Sequence, residues 1–247
     1  NNSIGISGGS EKATYSMGIS YIHQDGIMDV KNKFNRMNIR ASVDYDATSW
    51  LKVGISSVMS RSKQFLPNNM AWQQAFNAPG IYPVYDEGNA NAFPEKYASP
   101  SSIGFTANFF NPVATANYYD SRNSNRQFLT NAYAQLNIIP EKLNFKTNIN
   151  YNYQSMEGNS FIPTYYVSSW QQQTASSLTK STTNYDNYIW DNTLTFRDSK
   201  GKHNYGAMVG MSMREENYRF LSGTASNVPE GKDEYHYLNK GDSKGVT

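Results

Sequence analysis

The sequence contains no cysteine among its 247 residues, which excludes a disulfide framework and thiolate metal sites. It has no run of the roughly 20 consecutive apolar residues that a transmembrane helix needs. Charged residues make up only 17% of the chain, compared with roughly 25% in an average soluble domain. The formal net charge of +2 provides no basic stripe for nucleic acid. These absences exclude a helical membrane protein and give no support to a nucleic-acid partner.

Residues that could carry out catalysis or bind metal are few and scattered. The histidines His23, His203 and His236 are not spaced as a zinc-binding pair. Glu215 and Glu216 are adjacent, so on a strand they point to opposite faces and cannot act as an acid/base pair. The segment Gly5–Gly9 matches the G-x-S-x-G nucleophile elbow, but that motif requires a following helix, and here a second strand is predicted. We therefore predict no enzymatic activity, no metal site and no cofactor.

What the sequence does contain is 19 tyrosines, 12 phenylalanines and a strict alternation of apolar and polar residues. In Leu143–Gln154, one strand face carries Leu, Phe, Thr, Ile and Tyr, and the other face carries only Asn, Lys and Gln. Successive side chains of a strand point to opposite faces, so this pattern predicts a strand with one apolar face. The same alternation occurs in Tyr15–Tyr21, Asn35–Asp46, Leu51–Met59 and His203–Met213, and more weakly in Phe128–Ile138 and Tyr188–Phe196.

The connections between these segments alternate between short and long. The short ones are Gly8–Lys12, Asp46–Trp50, Pro140–Lys142 and Asp198–Lys202; the long ones are His23–Lys33, Arg61–Arg126, Ser155–Thr183 and everything after Arg214. Outer-membrane barrels have short periplasmic turns and long extracellular loops, with strands of about ten residues. The pattern therefore predicts an all-β fold, an antiparallel transmembrane β-barrel segment of about eight long strands.

Several segments resemble one family of outer-membrane proteins, and they follow that family's order. They are Ser7–Met28, Phe34–Ser56 with its "WLKVG" strand, Tyr185–Phe196, Lys202–Glu216 and Phe220–Pro229. They resemble the barrel of SusC/RagA-type TonB-dependent transporters of Bacteroidetes. The resemblance implies that residues 1–247 are a partial barrel domain of a bacterial outer-membrane transporter, because neither a plug domain nor a TonB box is recognisable.

The resemblance also implies partners and cargo. The family's complete barrel has roughly 22 strands around a plug, and it pairs with a SusD-like surface lipoprotein that closes over it as a lid. A TonB complex supplies energy through the plug. The cargo is an oligosaccharide or, in some members, a peptide. Outer-membrane lipid surrounds the barrel.

Two groups of residues are candidates for contacts with cargo or partners. The segment Arg61–Arg126 is too long for a bare connector, and Asn68–Ala78 within it predicts a short helix capped near Asn68 or Asn69. The loop's aromatic side chains either contact cargo or the lid, or form the loop's own small core: Trp72, Phe76, Tyr82, Tyr85, Phe93 and Tyr97. The polar strand faces place a second group towards the lumen, where plug or cargo would contact it: Arg36, Arg40, Asp44, Lys146, Asn148 and Asn150.

Other aromatic residues near the predicted strand ends fit an interfacial girdle: Trp50, Trp170, Trp190, Tyr118 and Tyr119.

Two alternatives to the transporter segment stay open on the sequence alone. One is a small, self-contained eight-stranded outer-membrane barrel with a structural or adhesion role. The other is a soluble β-rich carbohydrate-binding domain or glycosidase, in which Leu143, Phe145 and Ile149 would lie in a dry centre between two sheets.

Overall fold

The main structural element is one antiparallel sheet whose strands follow each other in chain order. The computed structural model describes residues 1–106, 109–231 and 236–246. The strands are β1 (Asn2–Gly9), β2 (Ala13–Asp25), β3 (Lys33–Asp46), β4 (Leu51–Leu66), β5 (Asp120–Ile139), β6 (Leu143–Ile162), β7 (Tyr165–Tyr166), β8 (Gln172–Gln173), β9 (Ser177–Lys200), β10 (His203–Ser226) and β11 (Asp242–Val246). The sheet order is β1-β2-β3-β4-β5-β6-β9-β10-β11, and β7 pairs separately with β8. Eight of these strands form a continuous meander, as the alternation predicts.

Within the described ranges, no helix is long and apolar enough to cross a membrane. The two α-helices are short, α1 (Met70–Asn77) and α2 (Pro112–Asn117). Both lie in the connection between β4 and β5. The helix expected at Asn68–Ala78 is therefore confirmed, with the Asn68 side-chain oxygen accepting a hydrogen bond from the Met70 backbone N–H at 3.0 Å.

The strand register places the apolar faces of all eight strands on the same side of the sheet. Directly paired residues of neighbouring strands point to the same side. One row of partners runs through Tyr15, Val43, Ile55, Ala132, Ile149, Trp190 and Met213. We call this side the apolar face and the opposite side the polar face.

The sheet is a single layer, and neither face is covered along most of its length. Ile55 on β4 and Ile149 on β6 are 50% and 49% exposed, although both strands have neighbours on either side. In the part of the chain that the structure describes, no second sheet lies over them. The dry centre expected of a sandwich is absent. The self-contained barrel does not fit either, because among the described residues β1 and β11 are the two edges of an open sheet and do not pair with each other.

Short and long connections alternate as predicted, but the long ones are shorter than the sequence suggested. The turns span residues 10–12, 47–50, 140–142 and 201–202, and the long connections span residues 26–32, 67–119, 163–176 and 227–241. The loops assigned to Arg61–Arg126, Ser155–Thr183 and the region after Arg214 were too wide. Near these ends both strand faces become polar, so the alternation fades while the backbone ladder continues.

The buried side chains lie in and near the long connections. One cluster consists of Tyr97, Ala114, Tyr118 and Val167, and another of Phe161, Leu178, Ala225 and Val228. The described residues of 67–119 pack against residues 163–176, and we call these two segments the loop cap. The girdle assignment was therefore wrong for three residues that lie in the loop cap. Tyr118 is buried there, Tyr119 lies between α2 and β5, and Trp170 lies in the β7–β8 connection, because the strands continue further than the alternation does.

A glycine on the polar face provides a test of the register. Gly54 lies between Asp44 on β3 and Tyr133 on β5, and the Tyr133 hydroxyl reaches across it to donate a hydrogen bond to Asp44. A methyl group at position 54 would overlap both side chains. We expect Gly54→Ala to lower the free energy of unfolding by about 1–2 kcal/mol, through lost packing and a weakened hydrogen bond.

The measurement is the urea midpoint of the detergent-folded barrel. The matched control is Gly210→Ala on the same face, where the added methyl group would meet neighbouring atoms at an ordinary 3.5 Å. Equal midpoints for the two variants would contradict the close approach of Tyr133 to β4.

Candidate functional site

The loop cap is organised by one fully buried side chain, Asn111. Its side-chain oxygen caps α2 by accepting hydrogen bonds from the backbone N–H groups of Val113 and Ala114 at 3.1 and 3.2 Å. Its amide nitrogen donates to the carbonyl oxygens of Val84 and Ala98 at 2.8 and 3.2 Å. A buried amide that satisfies donors and acceptors in both directions fixes the surrounding backbone in one arrangement.

A second amide joins the two long connections of the loop cap. The Gln171 side chain accepts a hydrogen bond from the Asn111 backbone N–H at 2.8 Å and donates one to the Asn111 carbonyl oxygen, also at 2.8 Å. Asn89 adds a further link, since its side chain donates to the Tyr97 and Val167 carbonyl oxygens at 2.8 and 3.0 Å. The backbones of the two connections are therefore cross-linked through buried amides.

The sequence did not identify α2 or its capping residue, although the signal is present. Asn111 is followed by Pro112, and Asn at the N-cap with Pro at the first helical position is a recognised helix start. The run of prolines around this segment obscured the signal, because prolines also mark irregular loops.

The six aromatic candidates of the loop divide between the two roles that the sequence left open. Tyr97 is part of the buried core of the loop cap and stacks on Tyr85 at 5.0 Å between ring centroids. The Tyr82 hydroxyl donates to the Ala98 carbonyl oxygen at 2.7 Å, and burial raises the pKa of Tyr82 to about 12. Burial likewise raises the pKa of Tyr118 to about 12. These phenols hold the loop together.

Trp72, Phe76 and Phe93 remain at the surface, and so does Tyr85, although its ring stacks on Tyr97. Trp72 and Phe76 lie four residues apart on α1, so they share one side of the helix. The opposite side packs inward through Ala71. Phe76 is 90% exposed and Trp72 about half exposed. Exposed aromatic side chains on a rigid helix are typical of binding surfaces.

A further aromatic recess in the loop cap was missed by the sequence analysis. It has a volume of about 540 Å³ and is lined by residues that include Phe105, Phe109, Phe110 and Trp170. Phe109 is held by an edge-on contact with Tyr82 at 4.7 Å between ring centroids. The phenylalanines are close together in the sequence and could have indicated this recess, but Trp170 belongs to a different connection. Aromatic side chains in a recess can stack on sugar rings or hold apolar side chains of a peptide.

The polar face carries the second group of candidates. The register places all six on that face: Arg36, Arg40, Asp44, Lys146, Asn148 and Asn150. Several join a network across the strands. The Lys146 ammonium lies 4.7 Å from the centroid of the Tyr133 ring, and the Asn131 side chain donates to Asn148 and Asn150 at 2.7 and 2.6 Å.

The residues considered for catalysis are not brought together. Ser7 lies on β1 and pairs with Ser16 in a hairpin, so the nucleophile-elbow context is absent. Glu215 and Glu216 are consecutive on β10 and bond to different partners, Asn217 and Tyr185 respectively. No cluster of three or more metal-ligating side chains occurs among residues 1–106, 109–231 and 236–246.

We expect Asn111→Ala to loosen the loop cap. The variant loses a helix cap and one of the two hydrogen bonds to each of the Val84 and Ala98 carbonyl oxygens, which keep the Ala98 N–H and the Tyr82 hydroxyl as donors. The expected combined cost is about 2 kcal/mol in local stability. Amide hydrogen exchange should become faster in residues 79–119 while the β5–β6 ladder stays protected. The control is Asn91→Ala, an exposed residue of the same connection. Unchanged exchange in Asn111→Ala would contradict the organising role of this side chain.

Comparison with known proteins gives a match at the level of fold. No protein-family model and no curated protein matches the sequence. The structure of the RagAB peptide importer in its closed-closed state matches with a TM-score of 0.71 at 17% identity, over 97% of this chain and 26% of that chain. Its open-open state matches with a TM-score of 0.69 at 18% identity over the same shares.

This chain therefore spans about a quarter of the importer chain that it matches. Both matching structures are of an importer and not of an enzyme. The antiparallel fold predicted from the alternation is confirmed, and the chain has the fold of a β-barrel segment similar to part of the RagAB peptide importer.

Proposed function

We propose that this chain forms part of the wall of a bacterial outer-membrane transporter that imports oligosaccharides or peptides. The observation that carries the proposal is the apolar face, which continues across eight strands without any protein cover over its central part. An exposed apolar surface of this extent is unfavourable in water. A lipid bilayer removes that penalty.

The height of the apolar face fits a membrane. On β6 it extends from Leu143 to Tyr153, and about ten steps of about 3.4 Å along a strand tilted by about 45° give a height of about 24 Å. Outer-membrane barrels have an apolar band roughly 25 Å tall with aromatic residues at both edges. Tyr45 and Tyr205 lie on this face near its short-turn edge, and Tyr151 and Tyr188 lie near the other edge. Trp190, which the sequence placed in the girdle, pairs with Ile149 near the middle of the band.

The same face is covered by protein where the strands rise above this band. Phe161, Leu178 and Ala225 form one row of partners on the apolar face, and all three are buried beneath Val228 and Leu238. Leu178 is 0% exposed, whereas Ile149 on the neighbouring strand is 49% exposed. In the described part of the chain, apolar side chains have protein cover above the band and none over its centre, as expected if lipid surrounds the band.

Two pairs of polar side chains inside the apolar band are hydrogen-bonded to each other. Ser57 and Thr130 share a hydrogen bond of 2.9 Å, and the Trp190 indole N–H donates to Thr147 at 2.9 Å. Unpaired polar groups in lipid cost several kcal/mol, so these hydrogen bonds lower the cost of placing the groups in lipid. Asn192 on the same face is an exception, since its amide nitrogen has no hydrogen-bond partner among the described residues.

The polar face then lines the lumen of a longer barrel. Its charged and amide groups, among them Arg40, Asp44 and Lys146, fit a surface that contacts water, a plug domain or cargo. In this proposal residues 1–247 are one part of the barrel domain, the plug belongs to another part of the protein, and a TonB complex acts through that plug.

The loop cap lies beyond the band, on the side of the long connections. We assign to it the contacts with cargo and with a SusD-like surface lipoprotein. The exposed Trp72 and Phe76 on α1 and the recess at Trp170 are the surfaces available for these contacts. The similarity in fold to a peptide importer supports a peptide as much as an oligosaccharide.

Adjacent residues on opposite faces provide the sharpest test of the membrane orientation. We expect Ile149→Arg to destabilise the membrane-inserted barrel by roughly 2–4 kcal/mol, because a guanidinium near the bilayer midplane loses hydration. Asn148→Arg, one residue away on the polar face, should cost less than about 1 kcal/mol. Unfolding by denaturant in lipid vesicles measures the stability of both variants. Equal losses of stability would contradict the proposed membrane orientation.

The role of α1 is tested by truncating its exposed aromatic side chains. We expect the double variant Trp72→Ala, Phe76→Ala to lower import or retention of the surface lipoprotein by about tenfold or more, because aromatic anchors dominate binding energy. The matched control is Ile27→Ala, an equally exposed side chain in the β2–β3 connection. Unchanged import and retention in the double variant would refute this assignment.

A further inference from the structure

Just above the apolar band, the lipid-facing side of the sheet carries two arginines on neighbouring strands. Arg61 on β4 and Arg126 on β5 are direct register partners and therefore lie side by side on the apolar face. On the same face, the next pair towards the middle of the sheet is Met59 and Phe128, the last apolar pair of the band. Lys63 lies on the same face, one step further from the band. We call these three residues the basic rim.

The charge of the basic rim is only weakly compensated by the protein. Within the described part of the chain, Arg61 and Lys63 form no ion pair, and the Lys63 ammonium lies 4.8 Å from the centroid of the Phe65 ring. A guanidinium nitrogen of Arg126 lies 3.6 Å from a carboxylate oxygen of Glu157, with both side chains about half exposed. Such an exposed pair contributes little stability.

Two like charges placed directly opposite each other on a sheet are unfavourable. A bound anion between them would turn this repulsion into attraction. The arginines lie at the height where the aromatic and apolar side chains end, which is where the headgroups of the surrounding lipid are expected. A guanidinium donates paired, charge-assisted hydrogen bonds that match the oxygen atoms of a phosphate group.

We propose that the basic rim binds the phosphate group of an anionic lipid in the leaflet on the loop-cap side of the membrane. This inference rests on the proposed membrane orientation and adds a lipid site to it. The acyl chains of that lipid lie along the apolar face below Met59 and Phe128, and its phosphate lies between Arg61 and Arg126. Lys63 adds a third positive charge above it.

The polar face provides a control for charge alone. Arg36 and Arg40 lie on β3, next to β4, but on the opposite face of the sheet. The Arg36 guanidinium already donates to Asn38 and Ser60 at 2.8 and 3.1 Å. Replacing these two arginines removes the same charge as replacing Arg61 and Arg126, without changing the lipid-facing side.

The experiment uses the complete barrel that contains this chain, purified in detergent, with lipid A as the phosphorylated probe. Native mass spectrometry measures how much lipid stays bound to the wild-type protein, to Arg61→Gln with Arg126→Gln, and to Arg36→Gln with Arg40→Gln. Parallel samples contain dephosphorylated lipid A or inorganic phosphate in place of the probe. We expect the first double variant to bind lipid A about tenfold or more weakly, since each basic residue near an anionic surface contributes about a factor of five, and the second to bind like the wild type.

Three results would overturn the proposal. They are equal binding of lipid A by both double variants, equal binding of the dephosphorylated lipid by the wild-type protein, and binding of free phosphate in place of the lipid. The Ile149→Arg and Asn148→Arg pair separates this failure from failure of the membrane orientation. If Ile149→Arg is costly but lipid A binding does not depend on Arg61 and Arg126, only the lipid site is wrong.

Discussion

The backbone ladder of a single antiparallel sheet is the constraint on which the rest of this structure depends. Strands β2 to β6 and β9 have a hydrogen-bonded neighbour on both sides, so the sheet holds together without a second layer. Without a second layer, however, no protein covers its faces. The surroundings must then suit each face separately, and strict alternation provides one face for lipid and one for water. The exposure of Ile55 and Ile149 in the middle of the sheet is a consequence of this arrangement.

The strands pass through two environments, and their side chains change accordingly. Within the apolar band, the side chains of the apolar face are mainly aliphatic and aromatic, and no described part of the chain covers them. Above the band, the same face is polar or is covered by the connection after β10, as at Leu178. The backbone ladder crosses this boundary without interruption, because hydrogen bonding between strands does not depend on which solvent surrounds the side chains. The aromatic and basic residues near Tyr188 and Arg61 mark the boundary.

The loop cap is held together by a different principle from the sheet. Its stability comes from buried amides, above all Asn111 and Gln171, which satisfy backbone groups that regular secondary structure leaves open. Trp72 and Phe76 lie outside this network, on the exposed side of α1. Because the helix that carries them is already formed, its backbone loses little conformational entropy on binding. Buried side chains such as Tyr97 therefore stabilise the loop cap, whereas exposed ones such as Phe76 are available for binding.

The sequence by itself determined the class of fold, the two faces of each strand and the alternation of short and long connections, because a period of two directly reflects the geometry of a strand. It also located α1 through its capping residues and its following proline. Only the tertiary structure decided the strand ends, because the ladder continues where the alternation fades. It also decided which loop aromatics are buried and that Trp170 joins Phe105 and Phe109 in one recess. These features depend on contacts between residues far apart in the chain, and no local pattern records such contacts.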